Sequence, residues 1–170
     1  MDHLLDLKWI KKHTPNLENL KVKLEKSPVK GTSLFAQKPI KKGNIIAYYH
    51  MKVYPLKTPG PFGDVYQFTV YTSKGNAIKN LVGNLYEGSL KPPKRGIPYW
   101  AYFSNEPSGT QKENAYVDAD ADGNYKNRTR IKAGDTVTFK LIAKRNIAAG
   151  EEVVWCYGDE YLRNYKPNCD

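Results

Sequence analysis

Cysteine is nearly missing from this chain. Cys156 and Cys169 do not make a disulfide framework, nor can they by themselves complete a four-ligand zinc site. They are read as reduced thiols in an intracellular protein, and no metal site is expected. Long apolar runs are also missing: nothing approaches the roughly 18 residues of a membrane span, so no membrane partner is expected. The opening run Met1-Asp2-His3-Leu4-Leu5-Asp6-Leu7-Lys8 lacks a basic stretch followed by an apolar one, so a secretory signal is not expected. Acidic residues are scarce, 17 against 27 Lys and Arg, which leaves a net charge of +10. That imbalance favours polyanions such as nucleic acid or chromatin, or simply keeps the protein soluble. No internal repeat and no low-complexity tract is found.

What is present suits one folded domain. The length of 170 residues falls in the range of a single core, and a chain of this size buries roughly 68–70% of its extended surface. Hydrophobic residues at 40% and aromatics at 12% exclude a disordered chain. Thirteen Gly and eleven Pro point to many turns between short strands.

The patterning agrees. Residues 2–13 carry Leu4, Leu5, Leu7, Trp9 and Ile10 among charges, which predicts a short amphipathic helix stopped by Thr14-Pro15. Leu20 to Lys26 alternates with the period of a half-buried strand. Leu34-Phe35-Ala36 follows a Gly-containing turn, and Ile45 to Tyr49 is a buried strand candidate. Tyr66 to Tyr71 alternates again, whereas 73–99 reads as irregular, broken by Gly75, Gly83, Gly88 and Lys91-Pro92-Pro93-Lys94. Thr136 to Ala143 is the strongest strand signal, and Val153 to Tyr157 is expected to be another short strand.

Asp118-Ala119-Asp120-Ala121-Asp122-Gly123 has the opening of a calcium-binding loop. The twelfth position, which needs a bidentate Glu, falls on Thr129, and the flanks read as strands. An Asp/Gly turn between two strands is the expectation.

Four separated segments together resemble the SET domain of protein-lysine methyltransferases. Lys30-Gly31-Thr32-Ser33-Leu34-Phe35-Ala36, with Ile40-Lys41-Lys42-Gly43, is similar to the Gly-x-Gly-(Leu/Val)-Phe-Ala stretch and the turn after it. Tyr48-Tyr49-His50-Met51 is similar to the Tyr-x-Gly strand. Tyr102-Phe103-Ser104-Asn105-Glu106, with Glu113-Asn114-Ala115, is similar to the Asn-His and Pro-Asn-Ala pair. The run from Ala143 to Gly158 resembles Ala-x-Arg-Asp-Ile-x-x-Gly-Glu-Glu-Leu-x-x-Asp-Tyr-Gly. Departures are Ser33 for the second glycine, Asn44 for Glu, Met51 for Gly, Glu106 for His, and Cys156 for Asp. The cysteine cluster that binds zinc after many SET domains is missing.

The resemblance implies a mainly β, SET-type fold of short curved sheets, with a C-terminal pseudoknot and a short N-terminal helix. The helical segment would occupy 1–19, the SET-like domain 20–165 with an insert at about 54–99, and a tail 166–170. The implied activity is S-adenosylmethionine-dependent lysine N-methylation, with a histone tail as the expected substrate. Tyr157 stands at the family's catalytic tyrosine; whether it also takes the proton is left open. Cofactor contacts are implied at Gly31, Thr32, Ser33, Leu34, Tyr102, Asn105, Glu106 and Tyr157. Tyr49, Trp155 and Tyr161 are candidates for the aromatic channel that admits the lysine. Glu106 is expected either to touch the adenine through its backbone or to be a plain surface carboxylate. Asp159, Glu160, Glu151 and Glu152 are either local negative charge suited to a basic peptide or solvated loop charges.

Two other readings stay open: a catalytically inactive SET-like chromatin or protein-binding module, and a basic nucleic-acid-binding protein. The Lys/Arg surplus, mainly in 8–52, 74–95 and 126–145, is expected to face nucleosomal DNA or solvent. A nuclear location would follow from a histone substrate.

Overall fold

The structure is a computed structural model that describes residues 6–58, 60–61, 66–72, 76–119, 131–158 and 163–169. The first element is α1, Leu7–His13. Asp6 caps it by accepting from the Lys8 amide at 2.9 Å, and Thr14 closes it by donating to Ile10 O at 2.6 Å. Leu7, Trp9 and Ile10 form the face that meets the core. Leu4 and Leu5 lie outside the described residues.

Two sheets follow. β1 (Val22–Ser27) and β2 (Gly31–Ala36) form an antiparallel hairpin in which Val22 faces Ala36 and Ser27 faces Gly31. β3 (Ile45–Pro55), β4 (Phe68–Tyr71), β5 (Ala77–Asn84), β6 (Ala115–Asp118) and β7 (Thr136–Ala143) build an antiparallel sheet of order β4-β5-β3-β7-β6. β3 is its axis. The first half pairs with β7, from Ile45 against Ile142 to Lys52 against Thr136, and the second half pairs with β5. A register shift between Ile45 and Ala47 bends the strand as it leaves the hairpin side.

Two readings need correction here. Residues 73–99 are not irregular throughout, because β5 forms within them and covers the second half of β3. Val153 to Tyr157 is extended but joins no ladder, because its partners come singly from two sides. The Asp/Gly turn near Asp122 lies outside the described residues.

Met51, at the family's glycine position, points into the core and is fully buried. It is accommodated by Gly83 across the sheet, where an added Cβ would stand 3.0 Å from Met51 Sδ. The departure is therefore absorbed by packing between neighbouring strands.

The C-terminal part threads between elements that are remote in sequence. Residues 150–154 lie along β2: Gly150 N donates to Ala36 O, Ala36 N to Glu151 O, and Val153 N to Leu34 O, each at 2.8 Å. On the other side Asn105 pairs in parallel with Val154, and Trp155 N donates to Asn105 O at 3.0 Å. Asn114 clasps the segment, accepting from Val154 N at 2.9 Å and donating to Glu152 O at 2.8 Å. This is the expected pseudoknot, and it sets Asn105 beside the strip that ends in Tyr157.

Candidate active site

Ser104 is the hub. It follows the buried 3-10 turn Ala101–Phe103, and its hydroxyl donates to Ala101 O at 2.6 Å. Its single proton is thereby used, so the 3.2 Å contact with Tyr49 has Tyr49 Oη as donor. Trp155 Nε1 then donates to both oxygens, 3.0 Å to Tyr49 and 2.9 Å to Ser104. In sequence Ser104 carries no distinguishing mark beyond its place beside Asn105.

Tyr157 meets the same residue from the other side. Its hydroxyl donates to Ser104 O at 2.7 Å across 53 residues of sequence. With the phenolic proton committed, the oxygen presents acceptor lone pairs. Its ring packs edge-on against Trp155, centroids 4.9 Å apart. Phe68 from β4 lies 4.7 Å from Tyr49 and stacks at 17° on Trp155. Phe68 is a wall residue that sequence reading missed, since nothing local links a strand in the insert to Trp155.

Burial works against Tyr49 and Tyr102 acting as bases. Burial raises the Tyr49 phenol far above the usual tyrosine range, outweighing the lowering from Ser104 and Trp155. Burial does the same to Tyr102, whose hydroxyl donates to His50 O at 2.8 Å. Tyr102 stands edge-on to Tyr49 at 4.9 Å, so it supports the wall from behind. Of the three proposed channel residues the fold brings Tyr49 and Trp155 together; Tyr161 lies outside the described residues.

The proposed cofactor residues gather next to this box. Gly31 is exposed in a left-handed conformation, φ 76°, with open space where a side chain would start. Thr32 is half-buried, while Ser33 is fully buried. The Leu34 side chain belongs to the core and its carbonyl is taken by Val153, so a ligand could meet only the remaining backbone. Asn105 Nδ2 donates to Ser33 Oγ at 2.8 Å. Bare backbone, an amide oxygen and aromatic faces form a set suited to an amino acid bearing a sulfonium.

Charge near the site is spent on internal pairs. Lys30 Nζ donates to Glu106 O at 3.0 Å and Gln111 Oε1 at 2.8 Å, and pairs with Glu152 at 3.3 Å. Glu151 pairs with Arg145 at 2.6 Å, and that bond foremost holds its carboxyl below the usual range. Glu151 and Glu152 are thus both engaged in ion pairs at the threaded segment. Asp159 and Glu160 lie outside the described residues.

Glu106 is not a surface carboxylate. Its side chain is 1% exposed and is met by Arg163 and Tyr165 from the tail. The reading of two reduced thiols is likewise overturned: Cys156 and Cys169 form a disulfide with Cα atoms 6.1 Å apart. The tail folds back through Asn168 N to Pro107 O at 2.8 Å, and this return brings Cys169 to Cys156. The compartment argument based on free thiols loses its basis. Among the described residues no His/Cys/Asp/Glu group could hold a metal ion.

Comparison with known proteins agrees with this geometry. A family profile described as SET domain matches residues 31–158, three quarters of the chain. No curated protein matches the sequence. Among solved structures, a provisionally assigned histone methyltransferase of Plasmodium falciparum superposes with a TM-score of 0.51 at 20% identity. It covers 84% of this chain and 96% of its own. The methyltransferase domain of human PR domain-containing protein 2 gives a TM-score of 0.50 at 18% identity, covering 86% and 84%. A humanized mutant of the Chaetomium thermophilum Polycomb Repressive Complex 2 bound to the inhibitor GSK126 gives 0.51 at 18%, covering 85% of this chain and 16% of that one. These likenesses concern the fold. The profile match, the threaded C-terminal segment and the mainly β architecture together identify the chain as a member of the SET domain family.

Proposed function

We propose that this protein is an S-adenosylmethionine-dependent protein-lysine N-methyltransferase, with a histone tail as substrate and the nucleus as its place of work. The observation that carries the reading is the Tyr157 hydroxyl held on Ser104 O, at the rim of the box formed by Tyr49, Phe68 and Trp155. When bound, S-adenosylmethionine would supply an electrophilic methyl group on a sulfonium. Gly31, Thr32, Ser33 and Asn105 would hold it, by backbone contact and through the Asn105 amide.

The remaining work falls to the chain's own side chains. A lysine ammonium, with a reference pKa near 10.4, must shed its proton and its water before it can attack. A low-dielectric aromatic box disfavours the charged amine, while ring faces still attract residual positive charge. The Tyr157 hydroxyl donates its hydrogen bond to Ser104 O, so its oxygen can accept from the amine and orient the lone pair. Trp155, pinned by two hydrogen bonds, keeps the wall from collapsing when the box is empty.

A methyl-transfer assay on histones with wild type and Tyr157→Phe tests the reading. Transfer by wild type that is lost in the variant is expected; no transfer by wild type, on histones or on total lysate protein, overturns it.

A second reading, the inactive binding module, draws on two engaged groups. Lys30 occupies the Glu106 carbonyl and Ser33 holds the Asn105 amide, both groups that the resemblance assigns to the cofactor. Calorimetry with S-adenosylhomocysteine separates the two: peptide binding without cofactor binding favours the module.

Nucleosomal DNA is the partner proposed for the basic surplus. Lys41 and Lys42 are exposed beside Lys144 and Arg145, brought together by the Ile40–Ile147 bridge and the Gly43 N to Ala143 O bond. Lys144 and Arg145 already pair with Glu113 and Glu151. Replacing Lys41 and Lys42 by Gln should lower activity on nucleosomes more than on free peptide, with a steeper effect at low salt. Equal loss on both removes the DNA contact from the proposal.

A further inference from the structure

Glu106 stands where the resemblance expects histidine, and its carboxylate has its own set of partners. Oε2 accepts from the Tyr157 backbone amide at 2.9 Å and from Arg163 Nη2 at 3.1 Å. Oε1 accepts from Tyr165 Oη at 3.1 Å and lies 2.6 Å from Arg163 Nε. That last contact is ionic, since Nε is not aligned for a directional hydrogen bond. Arg163 Nη2 also donates to Gly158 O at 2.8 Å, so the guanidinium bridges Glu106 to the residue after Tyr157.

The arrangement differs from an ordinary buried ion pair. A carboxylate removed from water is costly unless charge and hydrogen bonds compensate it. Here the compensation comes from the catalytic candidate's own backbone and from a tail 57 to 59 residues away. Tyr157 is thus fixed at two points, its amide on Glu106 and its hydroxyl on Ser104, two residues apart in sequence. Losing the first point removes the carboxylate's hold on the backbone that carries the phenol.

We propose that Glu106 is a positioning residue: its carboxylate locks the Tyr157 backbone and seats the Arg163–Tyr165 stretch of the tail against the site. The consequence for catalysis rests on the methyltransferase reading; the lock itself does not. Glu106 acts through Tyr157 and the tail, so its earlier assignment as a cofactor contact would apply to its backbone alone.

The test uses ligand-free full-length protein first. Hydrogen exchange is compared for wild type, Glu106→Ala and Glu106→Gln. Glu106→Ala should speed exchange at the Tyr157 amide by about tenfold or more while β3 and β7 keep their protection. Glu106→Gln retains an acceptor oxygen for that amide but not the charge. It should leave Tyr157 within about threefold of wild type and loosen the Arg163–Tyr165 stretch of the tail, while the disulfide keeps residues 168–169 in place. Methyl transfer then gives the second readout: kcat falls by about ten- to a hundredfold in Glu106→Ala, with the peptide KM changed by less than about threefold, and Glu106→Gln rescues most of it.

Unchanged exchange at Tyr157 in Glu106→Ala overturns the proposal. If that variant fails to fold, Glu106→Gln with Arg163→Met decides, since both buried charges leave together. An Arg163–Tyr165 stretch still as protected as in wild type then overturns it, and that stretch released with Tyr157 still protected supports it. Absence of methyl transfer in wild type would sink the enzyme reading without touching the exchange result.

Discussion

Ser33 and Asn105, 72 residues apart, are joined by a 2.8 Å hydrogen bond from the Asn105 amide to the Ser33 hydroxyl. The serine that departs from the family's glycine therefore grips the asparagine that the family motif retains. With Nδ2 turned to Ser33, Oδ1 of Asn105 is directed away from it, the orientation in which it can accept from a ligand ammonium.

Ser33→Ala removes that grip. A neutral hydrogen bond contributes about 0.5–1.5 kcal/mol, so S-adenosylhomocysteine should bind about two- to tenfold more weakly. Isothermal calorimetry measures this directly, and tighter binding would mean that Ser33 obstructs the seat.

Tyr157→Phe should leave the fold intact. Its half-buried hydroxyl contributes about 1 kcal/mol through Ser104 O, while methyl transfer should drop by about a hundredfold or more. Thermal unfolding and a single-turnover assay on the same preparation separate the two effects.

His50 carries a pH dependence of stability. Burial foremost, then Lys91, lowers it from an ordinary value of 6.5 to about 4, and its Nδ1 lies 2.9 Å from Thr138 Oγ1. The folded state binds this proton less readily than the unfolded chain. Its contribution is therefore fully present above pH 6.5 and is lost as pH falls from about 6.5 to about 4. Urea midpoints at pH 7 and 5 should differ less in His50→Gln than in wild type.

The Cys156–Cys169 bond spans 13 residues and closes a short loop. In the chain-entropy account a loop of this size contributes about 3 kcal/mol. Cys169→Ser should lower the urea unfolding free energy by roughly that amount, and reductant should shift wild type but not the variant. Thiol titration of the unfolded, unreduced protein checks the pairing: one equivalent or more of free thiol would contradict it.

Legibility in sequence followed how local each signal was. β7 was read to its ends, because Thr136 to Ala143 is β-branched and apolar except for Lys140, and partners on both sides leave most of it buried. β5 was missed: Asn80, Gly83 and Asn84 interrupt its pattern, and it holds its place by pairing with β3 and β4. Tyr49, Asn105, Trp155 and Tyr157, all within the quoted motifs, lie next to one another in the fold. The motifs were silent on Ser104, Phe68 and the Glu106 carboxylate, whose partners arrive from other strands and from the tail. The disulfide was invisible for the same reason, since the two isolated cysteines meet through a return of the tail that includes the Asn168 N to Pro107 O bond.

Threading residues 150–157 between β2 and the Asn105–Asn114 stretch has a consequence for biosynthesis. β2 and the 105–114 stretch leave the ribosome well before the strip that lies between them. Until that strip emerges, the exposed carbonyls of Leu34 and Ala36 have no native partner, and the nascent chain presents an open sheet edge. The strip carrying Trp155 and Tyr157 then joins the candidate site late, and a translation product arrested before it would lack that side of the site and present the open edge.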